Sequence, residues 1–258
     1  VTVSHLDSPN VPVVSIVVPT YNERERIAEL VEAVFAEYRA HGIAGEVVVV
    51  DDNSPDGTGT IADELSARHR VTVVHRAGKQ GLGSAVMEGF EAAQAPIVGV
   101  MDADFSHPPA ALPRLLDVLQ RTGVDAVVGS RYIPGGAAKN WPAGRLLMSR
   151  VACLLARPLT PVRDATSGFF LIRRSVVHGV KIQAGGFKIC LELLLRSPVT
   201  SVAEVPYEFV DRTSGQSKMS TREAMGYFTQ LRQLLVVKLA NRAARPRYVR
   251  VVGAATDH

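Results

Sequence analysis

"VGVMDADFSHPP", residues 99–110, joins an apolar run to a pair of carboxylates. The run Ile97–Met101 has the composition of a strand buried on both faces, yet it stops at Asp102 and Asp104, one residue apart. Two negative charges at the mouth of a core strand repel each other unless a cation or a hydrogen-bonding ligand offsets them. Neither aspartate is placed to cap the next helix, because Pro108 and Pro109 stand at its entry. The stretch therefore predicts a strand that ends in a ligand site.

Working outward, the first half of the chain alternates short apolar strands with helices. Strands are expected at Val13–Val18, Glu46–Val50, Val71–His75, Ile97–Met101 and Val124–Val128. Helices are expected at Arg24–Arg39, Gly59–Arg68, Ser84–Ala93 and Ala110–Arg121. Strands apolar on both faces, each followed by a helix, predict an α/β fold with a mostly parallel central sheet covered by helices. In such sheets ligands bind beyond the carboxyl ends of the strands. Three of those ends are polar: Pro19-Thr20-Tyr21-Asn22-Glu23, Asp51-Asp52-Asn53-Ser54-Pro55-Asp56-Gly57-Thr58 and Asp102-Ala103-Asp104. Taken singly, Asp56 could cap a helix and Glu23 could sit in a first turn.

Beyond residue 130 the pattern loosens. "GSRYIPGGAAKNWP", 129–142, reads as a loop over the strand ends, followed by a helix at Arg145–Arg157 and a strand near Val202–Val205. The final helix, 221–240, is expected to be amphipathic, with Ala224, Phe228, Leu231, Leu235 and Leu239 on one face. The expected organisation is an N-terminal tail (1–10), a catalytic domain (11–219), that helix (220–240) and a basic, poorly ordered tail (241–258).

Charge is distributed unevenly. Residues 1–130 carry a net −9 and residues 131–258 a net +13, which suits an anionic partner for the second half. Nucleic acid is disfavoured, because the basic residues form no recognisable reading module and a single Trp is available for stacking. Cys153 and Cys190 lack metal-ligand spacing and read as reduced core residues of a cytosolic protein. The sequence shows neither a secretory leader nor an uncharged apolar run of about 18 residues, so a membrane span is not expected.

The glycine stretch "GKQGLGSA", 78–85, has neither dinucleotide-fold nor P-loop spacing; it predicts a tight loop that delivers Lys79 and opens a helix. Hard divalent cations prefer carboxylate oxygens and complete their shells with substrate phosphates, a chemistry that Asp-x-Asp fits.

In order, "PTYNE", "DDNSPDGT", "GLGSA", "DADFSHPP", "GSRY", "TSGFF", "GFK" and "DRTSGQSKM" resemble glycosyltransferase family 2, and within it the polyprenol-phosphate and dolichyl-phosphate mannose synthases. The resemblance spans roughly residues 13–220. It implies a GT-A fold and inverting, metal-dependent transfer of a hexose, mannose from GDP-mannose, to a polyprenyl or dolichyl phosphate. It also implies a divalent cation, Mg or Mn. Matched position by position, Pro19, Tyr21, Glu23 and Asp52 hold the donor, joined by Lys79 and Asp102. Asp102 and Asp104 hold the metal, with Ser106 a third candidate where some relatives have Gln. Arg131, Arg145, Arg212, Ser217 and Lys218 line the sugar-phosphate and acceptor-phosphate region. Asp104, Arg131 and Arg212 are the expected catalytic set.

Chemistry agrees with this set. An acceptor phosphate is already ionised near neutrality and attacks without a general base, so the protein's task is placement and charge stabilisation. His107 is accordingly expected to position rather than to catalyse. A structural alternative pairs Arg131 or Arg145 with Asp164. With a lipid acceptor and no span, the chain is expected at the cytosolic face of the membrane, held by the final helix and arginine tail or by a membrane partner subunit. The alternative acceptor is a soluble sugar or natural product, with Asp164 or another loop carboxylate as base.

Overall fold

The structure, a computed structural model, describes residues 11–182, 188–210, 221–240 and 246–251. In chain order the elements are β1 (Val14–Thr20), α1 (Ile27–Ala40), β2 (Gly45–Asp51), α2 (Thr58–Ser66), β3 (Val71–His75), α3 (Leu82–Ala92) and β4 (Ile97–Val100). A 3-10 turn at Pro109–Ala111 leads into α4 (Leu112–Thr122), then β5 (Ala126–Ser130), β6 (Ala137–Lys139), α5 (Ala143–Ala156), β7 (Phe170–Arg173) and α6 (Arg174–Val177). The chain continues through α7 (Ile189–Arg196), β8 (Ser201–Pro206), β9 (Glu208–Val210), α8 (Thr221–Ala240) and β10 (Arg247–Val249).

Eight strands form one sheet in the order β10-β8-β5-β7-β4-β1-β2-β3, parallel throughout except for β7. Because side chains alternate along a strand, each all-apolar strand divides between two cores. Ile16, Val18, Val47 and Val49 pack with Leu30 and Val34 of α1, whereas Val17, Val48 and Val50 pack with Val86 and Phe90 of α3. This double burial explains why the strands read as continuous apolar runs.

β7 pairs antiparallel with both β4 and β5, and it was not resolved as a strand by sequence reading. Its direction matters: the segment entering β7, Asp164–Phe169, lies at the edge of the sheet where β4 and β5 end. Gly99 permits the pairing, since a Cβ there would stand 2.3 Å from Leu171 and 2.8 Å from the Phe170 carbonyl. The loop over the strand ends is partly ordered by β6, which pairs parallel with β9.

In the C-terminal region one expectation changes and one gains detail. Within the expected tail, Arg247–Val249 pairs parallel with β8, a strand of three residues being too short to carry a readable period. The final helix forms over Thr221–Ala240, but its packed residues are Tyr227, Gln230 and Leu234, while Phe228, Leu235 and Leu239 are exposed. Of the expected apolar face, Leu231 packs beside Tyr227 and Leu234, and the remaining large residues point away from the domain.

Candidate active site

The edge formed by β1, β2 and β4 collects the three polar strand ends. The turn after β1 is fastened to the loop after β2: Ser54 Oγ accepts from the Asn22 N–H at 3.0 Å and Thr58 Oγ1 from the Glu23 N–H at 3.0 Å. Asp56 is structural, as one reading allowed. Its carboxylate accepts from the Thr58 N–H (3.0 Å), the Thr58 hydroxyl (2.6 Å) and the Arg24 N–H (3.1 Å). Asn22 and Asn53 adopt left-handed conformations, φ 59° and 58°, which asparagine tolerates better than most residues.

Above this turn, Lys79 Nζ lies 3.3 Å from the centroid of the Tyr21 ring. The loop before α3 therefore brings Lys79 against Tyr21, so that two of the expected donor residues meet. Pro19 is the penultimate residue of β1 and Glu23 opens the turn beyond it. Asp52 is held by Arg76, a residue sequence reading passed over. The Arg76 guanidinium donates to Asp52, to Glu88 (3.1 Å) and to Ser84 Oγ (2.6 Å), with its side chain 1% exposed. An arginine directly after an apolar strand was the available signal, since so buried a cation demands carboxylate partners.

At the end of β4, Asp102 keeps its side chain 40% exposed whereas Asp104 is buried. Asp104 accepts from the Ser106 N–H at 3.0 Å, and its carbonyl accepts from Arg26 Nη1 at 3.0 Å. Between them the chain is forced through Phe105, a bulky residue at φ 61°, a conformation that costs energy and fixes the turn. His107 is buried and stacks on Phe169, centroids 5.0 Å apart. Its Nδ1 accepts from the Asp102 N–H at 3.0 Å, so in the neutral ring Nε2 carries the proton. Burial holds its pKa below the usual histidine value against the pull of Asp102 and Asp104. A buried imidazole that accepts from the backbone of Asp102 suits the positioning role expected of His107.

The residues at the end of β4 fit a divalent cation. Two carboxylates at a strand end supply hard oxygen donors, and Ser106 Oγ is a buried hydroxyl without a hydrogen-bond partner. Among the described residues no cluster of three or more His, Cys, Asp or Glu could hold a metal, so substrate oxygens or water would have to complete the shell.

The expected phosphate side begins at Arg131, directly after β5. Its Nε and Nη2 each donate to Asp164 at 2.7 Å, and Nη2 also donates to Thr166 Oγ1 at 3.0 Å. The structural alternative of an Arg131–Asp164 pair is therefore realised. Burial opposes the guanidinium charge and the Asp164 carboxylate more than restores it, leaving the pKa raised. Nη1 lies outside this fork. Arg145 covers the Trp141 indole at 4.2 Å, and Arg131 approaches the same ring at 5.1 Å and Phe209 at 5.5 Å. Trp141 was not among the expected site residues, although its Nε1 is buried and unpartnered.

Phe209 ties the two sides together, because the His107 ring also lies 6.0 Å from it. Gly168, entering β7, passes so close that a Cβ there would lie 3.4 Å from His107 and 3.9 Å from an Asp102 oxygen. Lys188, the last residue of "GFK", precedes α7; burial lowers its pKa and the Arg131 charge adds to that, while Asp102 opposes it. Beside Arg131 a cavity of about 640 Å³ opens, lined by Tyr132, Arg150, Cys153, Leu154, Arg157 and Arg163 among others. Arg212, Ser217 and Lys218 lie outside the described residues.

Residues 15–180 match glycosyl transferase family 2, and the chain belongs to that family. It is 40% identical over 226 residues to the dolichol-phosphate mannosyltransferase of Pyrococcus furiosus, covering 86% of this chain and 63% of that one. It is 41% identical over 227 residues to the polyprenol monophosphomannose synthase of Mycolicibacterium smegmatis, covering 81% of this chain and 83% of the relative. Among solved structures, a mannosyltransferase from Pyrobaculum calidifontis in complex with GDP-Man and Mn2+ superposes with a TM-score of 0.62 at 20% identity, over 92% of this chain and 66% of that one. That likeness establishes the GT-A type of fold expected from the sequence.

Proposed function

We propose that this chain transfers a mannosyl residue from GDP-mannose to a polyprenyl phosphate, with inversion at the anomeric carbon and a divalent cation as cofactor. The observation that carries the reading is the meeting of opposite charges at one sheet edge: the Asp102/Asp104 pair at the end of β4 and the Arg131–Trp141–Arg145 cluster, linked through His107 and Phe209. The names of the relatives, similar over most of this chain, supply the mannosyl group and the lipid phosphate.

In this reading Tyr21, Lys79 and Asp52 bind the nucleoside diphosphate, Lys79 placing a cation beside the ring on which Tyr21 offers stacking area. Asp102 and Asp104 would hold the cation, with Ser106 the nearest further oxygen; when bound it neutralises charge on the leaving diphosphate. Arg131 and Arg145, with Arg212, Ser217 and Lys218, bind and orient the acceptor phosphate. An acceptor oxygen forms the new bond to the anomeric carbon as that carbon's bond to the diphosphate breaks, and the electron pair departs with GDP. No proton must be removed from the attacking phosphate, which agrees with a His107 committed to the Asp102 backbone. The Arg131–Asp164 pair fixes the guanidinium before substrate arrives, so little reorganisation is needed.

Such a reaction places the chain peripherally at the cytosolic face of a membrane. Among the described residues no helix is long and apolar enough to cross one. The test is incubation with a panel of nucleotide sugars, Mg2+ or Mn2+ and a short prenyl phosphate. Mannosyl-phosphoryl-prenol formed from GDP-mannose supports the reading; sugar transferred only to a water-soluble, phosphate-free acceptor overturns it.

A further inference from the structure

Glu204 holds a loop rather than a cation. It stands on β8, opposite Val128 of β5, and its side chain is buried. Its two oxygens accept backbone N–H groups, Oε2 from Arg163 at 2.9 Å and Oε1 from Asp164 at 3.0 Å. Residues 163 and 164 belong to neither helix nor strand, so these N–H groups have no ladder to join and depend on a side chain for a partner.

The loop so held is the one that sets Arg131. Asp164, fully buried, accepts from the Arg131 main-chain N–H, from Nε and from Nη2. Arg131 is anchored from the other direction as well: Gly129 and Ser130 of β5 pair with Val205 and Pro206 of β8, and the Tyr207 N–H donates to the Ser130 carbonyl at 3.2 Å. Glu204, Asp164 and Arg131 therefore close a circuit. The paired strands fix where Glu204 and Arg131 leave the sheet, and Glu204 fixes the loop residue between them.

The strand β10 braces this circuit. Its register puts Tyr248 opposite Val202, and Glu204 lies on the same face of β8 two residues further on. Burial, and then the neighbouring Glu204 carboxylate, push the Tyr248 hydroxyl up to about 12, so it remains a proton donor on that side of Glu204.

A guanidinium bound to a carboxylate whose own backbone is pinned has little room to drift. Misplacing a substrate-binding group by about 1 Å costs on the order of a hundredfold in rate, so a pin of this kind acts on the reaction without touching substrate. We propose that Glu204 is a positioning residue, which by holding the backbone of Asp164 sets the Arg131 guanidinium in the geometry that receives the acceptor phosphate. The phosphate rests on the acceptor reading above, whereas the hold on Arg131 does not.

The test follows the intact chain by its kinetics on a short prenyl phosphate and by the NMR signal of the Arg131 Nε–H. Glu204→Gln offers one acceptor oxygen where two are needed. It is expected to lower kcat/KM for the prenyl phosphate roughly tenfold and to leave KM for GDP-mannose within about twofold of the parent. It also shifts the Arg131 Nε–H signal and speeds its exchange with solvent. Because Glu204 acts through Arg131, Glu204→Gln costs little further in an Arg131→Lys background, where an independent structural role would add its full loss. Three results overturn the proposal: an unmoved Arg131 signal, additive losses in the double variant, or an equal loss of affinity for GDP-mannose. If Glu204→Gln does not fold, hydrogen exchange of the parent decides; slow exchange at the Arg163 and Asp164 amides supports the pin, and exchange as fast as in an exposed loop overturns it. If the parent transfers nothing to the prenyl phosphate and Glu204→Gln still moves the Arg131 signal, the acceptor reading fails and the positioning of Arg131 stands.

Discussion

Arg131 and Asp164 face each other through two N–H···O bonds of 2.7 Å, and both side chains are buried, the carboxylate completely. The same carboxylate accepts from the Arg131 backbone N–H at 2.9 Å, so one aspartate holds both the side chain and the main chain at the end of β5.

Breaking this pair leaves a charge without its partner. Arg131→Ala is expected to cost about 3–5 kcal/mol of stability in denaturant unfolding. Arg131→Lys keeps a cation without the fork and is expected to slow transfer at least roughly tenfold, while nucleotide affinity is spared. An Arg131→Ala variant as stable as the parent would show that the pair contributes nothing to the fold.

Asp102→Asn and Asp104→Asn are expected to abolish metal-dependent turnover without unfolding the protein. Removing like charge from the end of β4 leaves melting temperature equal or higher in the absence of metal. Isothermal titration with Mn2+ and GDP checks the assignment; unchanged Mn2+ dependence in both variants contradicts it.

Lys79 is exposed and makes its closest ring contact with Tyr21, so Lys79→Ala should leave stability untouched. Nucleoside diphosphate affinity is expected to fall roughly tenfold, the loss of one charge-assisted contact to phosphate. Equal GDP binding by the variant and the parent would remove Lys79 from the donor site.

Asp125 supplies a pH test of the fold. One of its oxygens, Oδ2, accepts from the N–H and hydroxyl of both Thr200 and Ser201, at 2.7 to 3.2 Å, joining β5 to β8. Burial alone would raise its pKa, but these bonds outweigh burial and lower it. A depressed folded-state pKa means that its contribution is fully present above the unfolded value of about 3.9 and is lost as pH falls through the folded value. Thermal unfolding should therefore show a steeper acid loss of stability in the parent than in Asp125→Asn. That variant starts roughly 1–3 kcal/mol less stable near neutrality. Parallel acid profiles would show that Asp125 is not a source of the acid sensitivity.

Much of this architecture was legible because burial on both faces leaves a simple trace. Val47 to Val50 and Ile97 to Val100 are apolar without interruption, and polar residues follow where each strand emerges. The direction of β7 left no such trace, since "FLIR" reads the same for either direction; yet that direction brings Asp164 and Gly168 to the site. Arg76 and Trp141 were missed because each is defined by a partner distant in sequence, Asp52 for Arg76 and Phe209 for Trp141, which spacing along the chain does not reveal. α8 marks the limit of periodicity. It locates a stripe on a helix without telling which side the domain covers: on α8 Tyr227, Gln230 and Leu234 are buried while Phe228, Leu235 and Leu239 stand exposed.

The most direct measurement is mass spectrometry of the lipid fraction after incubation of the intact chain with GDP-mannose, Mg2+ or Mn2+ and a short prenyl phosphate, with Asp104→Asn in parallel. The account predicts a product heavier than the acceptor by one hexose residue, released GDP in equal amount, and neither with the variant. Hexose recovered only on a phosphate-free soluble acceptor, or GDP released with no mannosylated lipid, would contradict it.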